Sequence, residues 1–189
     1  KPGRFLRLVW ETNIYSPWFE ELRVLSSLES TAAMMDKLAG DPLLVWMGLC
    51  YYLDNSCTAD KQENHSSQIQ DRQKLTSQNL GVRLRLSKLF IQGGIAAGCY
   101  LERVEQYPDL SAEEKVDLLL QLQKKDFLRE ILKLVRIIWD QDFNTIVYRD
   151  LDAIQKVSLP ENCRNLGRRS GEILKGMQTE CLEQIYKWE

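Results

Sequence analysis

The chain has 189 residues, 44% hydrophobic and 28% charged, a balance typical of a globular protein with enough length to bury a sizeable core. With 25 Lys+Arg against 27 Asp+Glu the net charge is −2, so no global field draws the chain to nucleic acid or an anionic membrane, and any such contact has to arise from a local patch. The longest apolar run, residues 43–53, is far short of the ~20 residues that span a bilayer, and no signal peptide follows Lys1-Pro2-Gly3-Arg4. A first residue that is Lys, and a final helix running to Glu189 without a stop signal, read as a piece of a longer protein.

Phe5, Leu6, Leu8, Val9 and Trp10 are spaced in a way that fits either a helix or an extended arm. Ser16-Pro17 followed by Glu20 and Glu21 spells a helix start, with a capping serine, a proline in the first turn and acids at the positive end of the dipole. Leu22, Leu25, Leu28, Ala32 and Met35 continue that helix to Gly40, with a break available at Ser26-Ser27 or Ser30-Thr31. The stretch around which the chain is organised comes next. Asp41 is a good N-cap and Pro42 a good first helical residue, and from 43 to 53 everything but Gly48 is apolar or aromatic. Such a helix has no polar face to give to water and has to be surrounded by other elements.

From Asp54 the composition turns polar, with Ile69 the only large aliphatic residue up to Gln73, and residues 54–79 read as a surface loop or insertion. The sole histidine, His65, and a sequon at Asn64 fall inside it, without neighbours at the spacing of a catalytic triad or a metal site. Leu80, Val82, Leu84 and Leu86 alternate with Arg83 and Arg85 like a strand, yet nothing else in the sequence offers a strand to pair with. Residues 80–105 are therefore expected to be helical throughout. Gly93, Gly94 and Gly98, with Ala97, form a small-residue face that lets another helix approach closely; they are not a phosphate loop, because no strand precedes them.

Tyr107-Pro108-Asp109 ends that helix, and Ser111 to Glu114 spell a capping box for the next one. A turn near Lys125-Asp126, a helix to Asp140 and a helix over 144–157 with Val147, Leu151 and Ile154 inward follow. Pro160 starts a short piece. The last helix places Ile173, Leu174, Met177, Cys181, Ile185 and Trp188 on a face about 120° wide. The total is eight or nine helices and no convincing strand: an all-α fold, either a helical bundle or a short α-solenoid-like array, forming one domain over 1–189. No internal period supports a named repeat.

Five cysteines, at 50, 57, 99, 163 and 181, contain no C-x-x-C pair, and Cys50, Cys99 and Cys181 sit among apolar neighbours as small core residues. They suit a reducing, intracellular compartment, cytoplasmic or nuclear. The acid pairs Glu113-Glu114, Asp140 with Asp142 and Asp150 with Asp152 read as caps and solvated faces. No catalytic, cofactor-binding or metal-binding constellation emerges, so no enzyme and no cofactor are expected.

One pattern is better defined. Lys125, Arg129, Lys133 and Arg136 recur at i, i+4, i+8 and i+11 within about 80° of helix surface, a basic ridge backed by a core face. Arg164, Arg168 and Arg169, with Lys175, form a second basic cluster. Each is either a solvated face or a contact for an acidic protein segment or nucleic-acid phosphates, which need aligned cations rather than a base-reading motif. Trp10, Trp18 and Trp188 either staple the ends of the chain to the core or anchor a partner. The expected function is that of a non-enzymatic helical protein–protein interaction domain, a scaffold or adaptor in a larger intracellular complex whose partners are other protein chains, self-association included. The alternative is a nucleic-acid-associated module of a chromosome or RNA assembly that grips phosphates through the basic ridge.

Overall fold

Helix α3, Pro42–Ser56, sits at the centre of the molecule, as the apolar run over 43–53 demands. Asp41 Oδ1 accepts the backbone N–H groups of Leu43 and Leu44 at 3.1 and 3.2 Å, satisfying two of the donors that a helix start leaves open. Leu44, Trp46, Met47, Leu49, Cys50 and Leu53 are all buried. The structure is a computed structural model, describing residues 1–56 and 76–187. Around α3 stand α1 (Pro2–Glu11), α2 (Leu28–Lys37), α4 (Thr76–Arg83), α5 (Lys88–Glu105), α6 (Ala112–Lys125), α7 (Leu128–Trp139), α8 (Asn144–Lys156) and α9 (Arg168–Lys187). Short 3-10 turns lie at Glu20–Val24, Tyr107–Asp109 and Glu161–Cys163. Among the described residues there is no strand, and the fold is an all-α bundle of nine helices.

The most extensive packing is α3 along α5, and the glycines of α5 make it possible. A Cβ at Gly94 would lie 2.7 Å from Cys50 Sγ, and one at Gly98 would lie 2.5 Å from Asp54 Oδ2. Those approaches are closer than real Cβ contacts, so the backbones meet where side chains are missing. At the other side of the core α1 lies against α2, where Gly3 donates its N–H to Asp36 Oδ1 at 3.0 Å and Arg7 bridges Glu29 and Asp36. In the second half α9 packs on both α6 and α8, and α7 on α5. One continuous cluster of buried side chains runs from Leu6 to Leu182.

Several expectations change. Ser16-Pro17 does not start a helix: the chain there is a turn followed by the 3-10 segment, leaves helical geometry at Leu25, and restarts with Ser27 before Leu28. Leu22 and Leu25 are nonetheless buried, so their spacing reported burial rather than α-helix. Residues 80–105 are two helices, joined through Leu84–Ser87, with Arg85 in the left-handed region at φ 54° and Leu86 N–H returning to Gly81 carbonyl at 3.0 Å, the wrap that closes a helix. Residues 57–75 lie outside the described residues, and both ends of the expected loop 54–79 are helical, Asp54 belonging to α3 and Ser77 to α4. Both are buried, and Asp54 accepts from Ser77 backbone N–H at 3.0 Å and hydroxyl at 2.6 Å. His65, Asn64, Ile69 and Cys57 lie outside the described residues. On α9 the buried line is Gln178 and Leu182, with Ile173, Leu174, Met177, Cys181 and Ile185 only half-buried and Trp188 outside the described residues. Gln178 turns inward because its amide donates to the Ile154 carbonyl at 3.1 Å.

Candidate functional site

The predicted basic ridge is divided. Asp126, in the left-handed region at φ 59°, ends α6, so Lys125 belongs to the last turn of α6 and not to the helix carrying the others. Its amino group lies 5.2 Å from the ring centroid of Tyr100, a cation–π contact that turns it toward α5. Arg129, Lys133 and Arg136 do line the exposed side of α7 within about 60° of one another. Arg136 stands 3.8 Å from Asp142, an exposed pair of the kind that contributes about 0–1 kcal/mol. Arg129 edges a polar depression that also contains the acids Asp126 and Glu130. In the second cluster Arg164 donates to the Leu159 carbonyl, Arg168 pairs with Glu172, and Lys175 is held by Glu113 and Asp117 at 2.9 Å each. Arg169 is exposed with no ion pair among the described residues. Acids therefore dilute both basic patches.

The acid pairs act mainly as caps and surface partners. Glu114 and Ser111 complete the capping box, which holds the Glu114 carboxyl below its ordinary value, chiefly through the bond to the Ser111 hydroxyl. Asp142 caps Asn144, and Asp152 pairs with Lys156. Asp150 is the exception, being fully buried. Its carboxylate accepts from Tyr107 hydroxyl at 2.9 Å, from Tyr186 hydroxyl, and from Arg149. Lys115, also buried, places its ammonium 3.8 Å over the Tyr186 ring and donates to the Pro108 carbonyl at 3.3 Å. Burial, then the neighbouring Asp150, pushes the ionisation of Tyr107 and Tyr186 well above the usual phenol range. At the centre of this cluster Tyr107 and Asp150 have no exposure at all. It locks α6, α8 and α9 together.

The feature open to a ligand lies in the first half. Phe5 and Leu6 of α1, Phe19 just before the 3-10 segment and Leu22 within it, and Met35 of α2 face Val45, Trp46 and Leu49 of α3 across a half-open cleft of about 260 Å³. Leu80, Leu84, Leu86 and Phe90 close its far side, and Pro42 completes the wall. Every lining side chain is apolar. The one polar atom they bring, the Trp46 indole N–H, is spent on the Phe90 carbonyl at 2.8 Å. Phe5 and Phe19 meet edge to face at 5.5 Å, and Arg83 ties the 3-10 segment to α4 by pairing with Glu21 and donating to the Trp18 carbonyl at 3.0 Å. Within two residues in sequence of ones that line the cleft, Leu8, Trp18, Val82 and Leu89 are each more than half exposed. Exposed apolar surface that gathers into a patch is a common form of contact site.

Sequence reasoning missed this cleft, because its walls come from five segments that only tertiary folding brings together. The available signal was the surplus of apolar residues at 80–90, more than one face of a short helix and a turn can bury. Trp18 is exposed as a chain-end aromatic at a surface would be, and Trp10 is exposed but leans on Tyr15 at 6.0 Å. Cys99, read as a core residue, is exposed, and Cys181 is half-buried, whereas Cys50 is fully buried. Among the described residues no cluster of His, Cys, Asp or Glu could hold a metal ion, and no helix is long and apolar enough to cross a membrane. Compared with family models, with curated proteins and with solved structures, the chain finds no match.

Proposed function

We propose that this chain is a non-enzymatic helical interaction domain, a scaffold or adaptor of a larger intracellular complex, which docks another protein on the cleft between α1, α3 and the α4–α5 turn. The observation that carries the reading is the cleft itself: wholly apolar and half open, with Leu8, Trp18, Val82 and Leu89 exposed within two residues in sequence of ones that line it. Burying one such side chain in a partner is worth about 1.5–3 kcal/mol, so a few anchors suffice for a specific contact. The second reading, phosphate binding by Arg129, Lys133 and Arg169, rests on their exposure without an ion pair among the described residues. Interleaved Asp126 and Glu130 weigh against it.

The test is affinity capture with Val82→Glu/Leu89→Glu and Arg129→Glu/Lys133→Glu/Arg169→Glu beside the parent chain, the partner being identified by mass and stoichiometry. Both sets of residues are exposed, so the variants keep the fold, checked by circular dichroism. A stoichiometric protein lost only by the cleft variant is the expected result. Loss confined to the cation variant moves the contact to the basic surface. Recovery of nucleic acid with affinity falling steeply with salt establishes the second reading instead.

A further inference from the structure

We infer that the corner between Tyr51, Tyr52 and Trp139 is a second contact site, which takes an arginine side chain of a partner protein against the carboxylates of Glu102 and Glu105. It lies beyond the stretch of α3 that lines the cleft and stands whatever the cleft binds. The rings come first. Tyr51 meets Trp139 of α7 at 5.5 Å and an interplanar angle of 75°, and meets Tyr52 at 5.4 Å and 74°. All three are half-buried, packed against the core on one side and open on the other. Rings set nearly at right angles bound a corner in which a flat cation can stack on one face while its edge meets the next ring. The ring quadrupole attracts such a cation, and among the described residues none lies over Tyr51 or Trp139.

The packing of α3 on α5 places the acids. Gly94, Gly98, Glu102 and Glu105 recur at i, i+4, i+8 and i+11, within about 80° of helix surface. The two glycines are where α5 comes closest to Cys50 and Asp54 of α3, so past them the face turned to α3 becomes acidic. Burial and then the Glu102 carboxylate raise the ionisation of Tyr51, and Glu105 adds to it, as negative charges beside that ring do. Glu102 is exposed and Glu105 half-buried, and neither has an ion pair among the described residues. The cations of these helix ends are turned elsewhere. Arg103 leaves α5 on the other side, where its charge acts on Glu114; Lys125 lies 5.2 Å from the Tyr100 ring centroid, and Arg136 stands 3.8 Å from Asp142. Helices α5 and α7 end at Glu105 and Trp139, so the negative ends of two dipoles favour a cation as well. Guanidinium suits rings and acids together: it is planar and weakly hydrated, stacks on aromatic faces, and carries five N–H donors for the two carboxylates. A quaternary ammonium uses the rings alone, and the lysine ammonium holds its water more strongly.

The experiment adds N-acetylarginine N-methylamide to the isotope-labelled full chain and follows the Trp139 indole N–H by nuclear magnetic resonance, that signal being assigned with Trp139→Phe. The expected result is a saturable shift. The neutral analogue of the same shape, N-acetylcitrulline N-methylamide, and the variant Glu102→Gln/Glu105→Gln should each bind about tenfold more weakly or worse. The glutamine substitutions keep side-chain size at positions outside the core, and the spectrum itself shows that the variant is folded. Absence of a saturable shift overturns the site. Equal affinity for the citrulline compound, or undiminished binding in the glutamine variant, overturns the role of charge. Tighter binding of N-acetyltrimethyllysine N-methylamide overturns the arginine assignment, and tighter binding of free arginine than of the blocked residue overturns the partner protein as its source.

Discussion

Replacing glycine by alanine in two helices of this protein should move stability in opposite directions. Gly94 lies in the interior of α5, and Gly176 in the interior of α9. Alanine is favoured over glycine by about 1 kcal/mol in a helix interior, and that gain applies at both positions. At Gly176 nothing lies within 4 Å of the new methyl, so Gly176→Ala should stabilise by close to that amount. At Gly94 the methyl would stand 2.7 Å from Cys50 Sγ and 2.9 Å from Trp46 Nε1. Neither neighbour retreats freely. Cys50 is fully buried, and Trp46 is anchored through its indole bond to the Phe90 carbonyl at 2.8 Å. Overpacking costs about 1–3 kcal/mol, and a disturbed hydrogen bond adds about 0.5–1.5 kcal/mol. Set against the helix-propensity gain, Gly94→Ala should destabilise by about 1–3 kcal/mol. Urea unfolding followed by circular dichroism reads both variants against the parent. Equal or greater stability of Gly94→Ala would refute the close packing of α3 on α5, and destabilisation by Gly176→Ala would refute the open surface of α9.

Removing the buried carboxylate in Asp150→Ala takes this acceptor from the Tyr107 and Tyr186 hydroxyls and one ion pair from the partly exposed Arg149; a loss of about 2–4 kcal/mol is expected in urea unfolding, and a loss below about 1 kcal/mol would contradict the lock between α6, α8 and α9. Alkaline pH should unfold the chain cooperatively. Burial pushes Tyr51 up to about 12, so the folded state holds a proton that the unfolded chain gives up near pH ~10. That contribution is complete below pH ~10 and is lost as the pH rises towards 12. Tyr52, Tyr107 and Tyr186 are raised too, so phenolate absorbance should appear together with loss of helix, whereas ionisation of these phenols in a still-helical chain would contradict their burial. Under native conditions iodoacetamide should label Cys99 quickly and Cys50 only on unfolding, because burial, then the adjacent Asp54 carboxylate, hold the Cys50 thiol protonated; peptide mass spectrometry separates the two, and early labelling of Cys50 would place it at the surface.

Local chemistry alone determined a good deal of this protein. Asp41-Pro42 and the Ser111–Glu114 box start α3 and α6 as read, because capping is settled within four residues. The wholly apolar run at 43–53 had to be a central helix, since no face of it suits water. The glycines at 93, 94 and 98 announced a close helix crossing, because the absence of a Cβ has no other use in a helix without a phosphate-binding strand before it. Tertiary structure decided the rest. The Ser16-Pro17 start satisfied every local rule and still gave a turn and a 3-10 segment, because burying Leu22 and Leu25 against the core outweighed propensity. Lys125 left the basic ridge when Asp126 turned the chain. Asp150, one of several surface-looking acids in the sequence, became a buried lock only when the Tyr107–Asp109 turn, α6 and α9 delivered Tyr107, Lys115 and Tyr186 to its side of α8. The cleft is the extreme case. Its walls are drawn from residues as far apart as Phe5 and Phe90, and a concavity between segments has no period, cap or motif by which a linear sequence could declare it.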